Sequence, residues 1–237
     1  MLYIKIADLK IQIDNKYNYV RGLCRDYIID ECEDFDLSIS VSEKEIDDEI
    51  AVAEVAVSRG YAEGVCIYRN ICYQLPTKFN SYLLHSALIE YEGKGYAFAA
   101  KSGTGKSTHI SIWQKVFGDG VRIINGDKPI VRYIDGDFIA YGTPWCGKEG
   151  FAVNDSVPLR ALCFIERSPT NSIERIPAAD AVLRVFHQIL TPRDAATVDA
   201  LFPLLDETLK KVPCYLLKCN MDDEAAIVAY NGMNNEL

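Results

Sequence analysis

The sequence predicts an α/β fold with a mixed sheet and a small β-rich N-terminal lobe. Three observations carry that reading. Residues 95–99 (Gly-Tyr-Ala-Phe-Ala) form a short apolar run like a buried strand, followed by a glycine loop over 100–107 and a helix-like stretch over 108–116. Residues 130–134 and 138–141 flank Asp135-Gly136, a strong hairpin signal, so the sheet is not all parallel. The first 80 residues carry alternating apolar runs, among them Leu37-Ser38-Ile39-Ser40-Val41.

Composition bounds the function. A chain of 237 residues suffices for one domain of good size, or one with a smaller lobe, and 49% hydrophobic residues support a packed core. The net charge of −9 argues against nucleic acid as a partner, since duplex binding needs a basic face. Met1-Leu2-Tyr3-Ile4-Lys5-Ile6 alternates and lacks the apolar core of a signal peptide. No run approaches the roughly 18 apolar residues of a membrane helix. The expectation is a cytoplasmic protein with no membrane partner. None of the eight cysteines forms Cys-x-x-Cys and there are only three histidines, so a zinc site of the usual spacing is not expected. The cysteines read as reduced small hydrophobes.

Along the chain, apolar residues of 3–13 suggest a strand-like opening with a turn at Asp14-Asn15. Ser42 and Glu45 have the spacing of a capping box at a helix start. Two short apolar runs within 61–73, around Arg69-Asn70, suggest a hairpin. Residues 1–80 hold 15 Asp or Glu against 9 Lys or Arg, a net −6 that reads as a solvated face or, less simply, a dock for a basic partner or leader peptide. The second half of 81–92 alternates like a strand, and Gly93-Lys94-Gly95 reads as a tight turn. In the helix after the glycine loop, Ile112, Lys115 and Val116 fall near one face. Residues 121–124 form the next strand and end in Asn125-Gly126-Asp127-Lys128. Residues 142–150 are a glycine-rich loop, 159–165 a strand, and 178–190 and 194–210 helices split by Thr191-Pro192. A late strand over 214–217 and a helix over 222–230 complete the chain.

The strand, glycine loop and helix around Ser102-Gly103-Thr104-Gly105-Lys106-Ser107 form a phosphate cradle. Gly103 and Gly105 supply positive φ, and loop N–H groups with the helix N-terminus point at anionic oxygens. Lys106 reaches the outer phosphates, and the Ser107 hydroxyl can bind magnesium. Ser102 to Thr108 are therefore the nucleotide-binding residues. Ala100 replaces the first glycine of the strict motif, at a position that only ends the strand. Such sites place a carboxylate at the end of a neighbouring strand, and Asp127 has that place, though Asn-Gly-Asp is also ordinary turn chemistry.

Ser102-Gly103-Thr104-Gly105-Lys106-Ser107 resembles the loop shared by HPr kinase/phosphorylase and ATP-dependent phosphoenolpyruvate carboxykinase. Asn125-Gly126-Asp127 resembles the Asp-Asp segment those families place on the next strand, and His85 sits where HPr kinase carries a histidine ahead of its loop. The arrangement is also similar to smaller HPr-kinase-like proteins that phosphorylate serine on ribosomally made peptides. The resemblance covers about residues 81–170. It implies a mixed-sheet P-loop core, ATP and Mg²⁺, and Ser107 with Asp127 as metal ligands. Where the families carry two adjacent aspartates, this chain has Asp127 followed by Lys128. Either Asp127 both holds metal and takes the acceptor proton, or Glu149, Glu166 or Asp155 supplies the base; Lys128 is open instead to stabilising phosphoryl charge. His85 is open to a structural or an acid–base role. Lys148 and Arg167 either neutralise the transferred phosphoryl or serve surface ion pairs. Pro144 and Trp145 either shape an acceptor pocket or pack.

The chain is thus expected to hold an N-terminal lobe over 1–80 and a catalytic domain over 81–237. Its expected activity is transfer of the γ-phosphoryl of ATP to a serine hydroxyl of a peptide or protein, with Lys106, Asp127, His85, Lys148 and Arg167 as catalytic residues. A small-metabolite acceptor, as in a small-molecule kinase or carboxykinase, and a non-catalytic nucleotide-binding module are the alternatives. A homo-oligomer is compatible with the sequence.

Overall fold

The computed structural model describes residues 1–190 and 194–234. In chain order the first elements are β1 (Leu2–Ile6), β2 (Leu9–Asp14), α1 (Asn18–Leu23), β3 (Leu37–Ser40), α2 (Glu43–Val52) and α3 (Arg59–Phe79). Next come β4 (Ser81–Leu83), β5 (Ser86–Tyr91), β6 (Lys94–Ala99), α4 (Lys106–Phe117), β7 (Val121–Asn125), β8 (Ile130–Ile134) and β9 (Asp137–Tyr141). The last are β10 (Ser156–Arg167), β11 (Ser172–Ile176), α5 (Ala178–Phe186), α6 (Ala195–Lys211), β12 (Cys214–Cys219) and α7 (Glu224–Asn234). The fold is a mixed α/β one, with a nine-stranded sheet and a separate three-stranded N-terminal sheet.

In the small sheet, β1 and β2 form a hairpin whose turn residues Ala7 and Asp8 both take positive φ, and β3 pairs parallel to β2. Ser42 and Glu45 do form the reciprocal cap of α2, a motif worth about 1 kcal/mol. The hairpin reading of 61–73 is corrected, because those residues lie inside the 21-residue α3. Its buried residues Ala62 and Cys66, and Ile67, Ile71 and Leu75, recur at four-residue steps, a helical stripe that two apolar runs disguise as strands. Ser58 caps the helix by accepting from the Tyr61 N–H, and Asn80 ends it in a left-handed conformation. Residues 1–80 therefore hold more helix than strand. Their acidic runs are partly paired within the same segment, Glu43 and Asp47 with Arg59, and Glu49 with Arg69.

The large sheet runs β4-β8-β9-β10-β6-β5-β7, with β12 beside the far half of β10 and β11 outside it. β6, β10 and β12 are mutually parallel, β5 runs against β6, and β7 against β5. The Asp135-Gly136 hairpin is present, with positive φ at both residues. The tight turn before β6 falls on Glu92-Gly93, both at positive φ, so Lys94 and Gly95 already belong to the strand. Gly95 serves close approach instead: a Cβ there would sit 2.7 Å from Val157 Cγ1 and 2.9 Å from the Pro158 carbonyl of β10.

Three apolar cores hold the layers. An aromatic one, with Tyr96, Phe98 and Trp113, lies between the sheet and α4 and α7. A second packs α5 and α6 on the other face. The third fills the N-terminal part and continues into Leu83, Ile130, Tyr141 and Trp145 of the larger part. On α4 the inward face carries Lys106, His109, Ile110, Ile112 and Trp113, while Lys115 turns outward to Asp223. Only Ile112 of the three expected face residues is buried, because helical spacing from Lys106 selects 109, 110 and 113. Helix α5 ends at Phe186, and the break expected at Thr191-Pro192 lies outside the described residues. Six of the eight cysteines are buried, and burial pushes the Cys24 and Cys214 thiols up to about 12. Among the described residues no helix is long and apolar enough to cross a membrane.

Candidate active site

Strand direction gathers the site. Because β6, β7 and β10 point the same way and β5 points back, Ala99, Asn125, Arg167 and the start of β5 share one edge of the sheet. The loop 100–105 leaves β6 at this edge and enters α4. Gly103 (φ 75) and Gly105 (φ 122) take conformations that a residue with a Cβ resists. Space is not the constraint, since a Cβ at Gly103 would meet nothing within 4 Å. The loop closes with Thr104 N–H donating to the Lys101 carbonyl, and Gly105 accepts the first helical bond from His109. A helix of 12 residues thus begins at Lys106, with its free N–H groups at the loop.

Lys106 is buried at 8% exposure, unusual for an ammonium. Its Nζ lies 3.0 Å from His85 Nε2 and 3.4 Å from the Ala100 carbonyl. Burial lowers its pKa, against the pull of Asp127. The same His85 Nε2 is 3.0 Å from Asp127 Oδ1, and Lys128 Nζ is 2.5 Å from Asp127 Oδ2. Burial raises the Asp127 pKa, but hydrogen bonds from His85 and Lys128 outweigh it and hold the carboxylate well below its usual range. Lys106, His85, Asp127 and Lys128 therefore form one contiguous polar chain, three of them expected from the sequence to be catalytic.

The turn that aims Asp127 is built by Asn125, which the sequence marked as turn chemistry but not as a site residue. Its Oδ1 accepts from the Asp127 and Lys128 N–H groups at 2.9 and 2.7 Å, an Asx turn, and its Nδ2 donates to the Thr143 carbonyl. A Cβ at Gly126 would lie 2.8 Å from the Cys146 carbonyl, so glycine lets the 142–150 loop press onto this turn. Gln188 was missed as well. With its amide nitrogen facing them, it donates to the His85 and Ala100 carbonyls at 3.1 and 3.3 Å, joining the start of β5 to the glycine loop. Asn125 had the Asx-turn signal in its sequence; Gln188 had none.

The remaining predicted residues separate. Arg167 donates through Nε to the Thr104 carbonyl at 3.0 Å and also bonds the Gly103 carbonyl, so it holds the loop backbone. Ser102 and Thr108 are exposed, and Thr104 and Ser107 half-buried, along the loop and first turn of α4. Lys148 is exposed on the 142–150 loop. Glu149 is on the same loop, close enough to act on the Lys106 ammonium and to disfavour a Cys146 thiolate. Asp155 is taken by Arg122 and Glu166 by Arg184. Trp145 packs: its Nε1 donates to the Gly64 carbonyl at 3.2 Å and its ring meets Tyr68.

A cleft of about 970 Å³ opens between the glycine loop, His85, Glu166 and Arg184. A second cavity of about 600 Å³ lies on the other side of the loop, against α4. Both sizes suit small organic ligands. Helix N–H groups and a buried ammonium beside such a cleft attract anionic oxygens. Arg167→Ala frees two loop carbonyls and is expected to lower stability by about 1 kcal/mol, a charged bond discounted for exposure. Denaturant unfolding measures it, and an unchanged midpoint would show the clamp is idle.

A family model described as SynChlorMet cassette protein ScmC matches residues 65–224. The chain belongs to that family. The ScmC match runs from within α3 to the start of α7 and includes every residue of the polar chain. No curated protein matches the chain. Among solved structures it is similar to the Hpr(Ser) kinase/phosphatase from Coxiella burnetii, at 8% identity and a TM-score of 0.38, over 63% of this chain and 87% of that one. That likeness is distant.

Proposed function

We propose that this chain is an ATP-dependent phosphotransferase that moves the γ-phosphoryl to a serine hydroxyl of a peptide or protein. The observation that carries the reading is the buried Lys106, at the first turn of α4 behind a loop with two positive-φ glycines and 3.0 Å from His85. The serine acceptor rests on the resemblance of the loop, His85 and Asp127 to HPr kinase.

In this reading the loop N–H groups and Lys106 bind the β- and γ-phosphates. Magnesium, held by Ser107 and Asp127, would neutralise charge on the phosphates. The residues fit that ion: Asp127 keeps a lone pair free on each oxygen beside its bonds to His85 and Lys128, and magnesium is usually held by one or two carboxylates with phosphates and water. Asp127, already ionised and doubly bonded, is a weak base. Glu149, on the loop pressed against it, is the carboxylate left to take the hydroxyl proton. Lys148 lies on that loop, ready for the transferred group, and Arg167 positions the loop.

The test is incubation with γ-labelled ATP, Mg²⁺ and serine-containing peptides, with mass spectrometry of the product. Phosphoserine that disappears with Lys106→Ala supports the reading; label recovered only on small metabolites moves the acceptor to that class. The Lys128–Asp127 ion pair favours a second reading, a nucleotide-binding module without turnover. Tight ATP binding with neither transfer nor hydrolysis would select it.

A further inference from the structure

The cleft beside the glycine loop is basic in an acidic protein. The chain has a net charge of −9. Yet Lys101, Arg167 and Arg184 line this cleft against one carboxylate, Glu166, and the imidazoles of His85 and His187 join them. Arg167 is occupied by the Gly103 and Thr104 carbonyls. Arg184 is not so engaged. Its guanidinium lies over the Phe164 ring, 5.9 Å from the centroid, and Nη1 donates to Glu166 Oε1 at 2.8 Å. The ring and the ion pair together orient the fork at the cleft wall. A guanidinium has five N–H donors, and among the described residues Glu166 alone accepts from this one. His187, three residues on and exposed, lines the same wall.

That wall is tied to the catalytic groups. The His85 N–H donates to the Gln188 backbone carbonyl at 2.6 Å, and the Gln188 side-chain amide donates back to the His85 and Ala100 carbonyls. Leu84 and Ile189 extend the pairing as an antiparallel bridge. The end of α5 is therefore held in register with His85 and the glycine loop, so a group seated on Arg184 has a fixed place relative to Lys106. Helix α5 also packs on the face of the sheet opposite α4. Phosphates gripped by the N-terminus of α4 thus leave Arg184 to another ligand group.

We infer that Arg184 recognises an acidic side chain of the acceptor, an Asp or Glu near the serine in its peptide, with His187 beside it. The inference rests on the serine-acceptor reading and adds a sequence preference to it. A carboxylate is the planar partner that an arginine fork binds through two N–H groups. Arg184 is thus a specificity-determining residue rather than a catalytic one.

Kinetics with matched serine peptides test it, the peptides being identical except for Asp, Asn or Lys at the positions flanking the serine. Wild-type protein is expected to use the best Asp peptide about 10-fold better in kcat/KM than its Asn twin, an effect carried by KM and on the scale of a partly exposed charge-assisted bond. The Lys peptide should be poorer still. Arg184→Leu is expected to bring the Asp and Asn peptides to within about 2-fold of each other, whereas loss of a merely structural arginine would slow both alike. Arg184→Lys, which keeps the charge but not the fork, should retain part of the preference. Peptide transfer without an Asp preference, a preference that survives Arg184→Leu, or a rise in KM for ATP in its place would overturn this inference and leave the serine-acceptor reading intact. Transfer to no serine peptide would overturn both.

Discussion

Lys106→Ala should reduce phosphoryl transfer by about 10³-fold, the scale lost when one preorganised charge partner is removed from a transition state. The expectation is large because this ammonium is already desolvated and directed along the loop, so little reorganisation is left for the reaction itself. Single-turnover kinetics on a variant shown to be folded checks it, and turnover within 10-fold of wild type, well short of that scale, would remove Lys106 from the mechanism. The same burial makes an opposite forecast for stability. A lysine whose pKa is lowered by folding is held protonated at a cost at neutral pH, and the cost fades as pH rises through the lowered value toward the ordinary 10.5. Lys106→Met should therefore raise the melting temperature near pH 7, with the gain shrinking as pH rises toward the ordinary 10.5. A lower melting temperature at neutral pH would mean that the bond to His85 outweighs desolvation.

Asp127→Asn is the second large expected effect, a loss of about 10² to 10³ in kcat. The carboxylate lies 3.0 Å from His85 and balances the Lys128 ammonium, and an amide cannot carry that charge. The variant should also show altered acid behaviour. Because folding depresses the Asp127 pKa, the ionised carboxylate stabilises the protein above its unfolded value near 3.8, and that contribution is lost as pH falls below it. Asp127→Asn should be less stable than wild type at neutral pH and converge with it in acid. Thermal melts across pH 2 to 7 measure the convergence; parallel curves would show that Asp127 contributes no charge stabilisation.

Much of the site was legible because its parts are local. Glycines at positive φ, a lysine opening a helix and an aspartate after the next strand each leave a mark within a few residues. The edge that brings His85 to Asp127 was not legible, since it needs the antiparallel pairing of β5 with both β6 and β7. What stayed hidden was long-range. Arg167 shows no preference by sequence between the phosphoryl and the loop carbonyls, and only the parallel register of β10 beside β6 puts it behind the loop. Gln188 joins two segments about a hundred residues away through an amide that composition treats as ordinary. The long helix α3 was obscured because its apolar stripe is broken by Arg69 and Asn70, which tertiary burial tolerates on the outward side.

Trp145 sits one residue before the cysteine that presses on Gly126, and its indole is fastened to the Gly64 carbonyl in the second turn of α3. The leading segment is consequently a buttress for the loop that carries Lys148 and Glu149. Excising it would strip the indole of its seat and uncover Leu83, Ile130 and Tyr141 together, leaving the aspartate turn without its backstop.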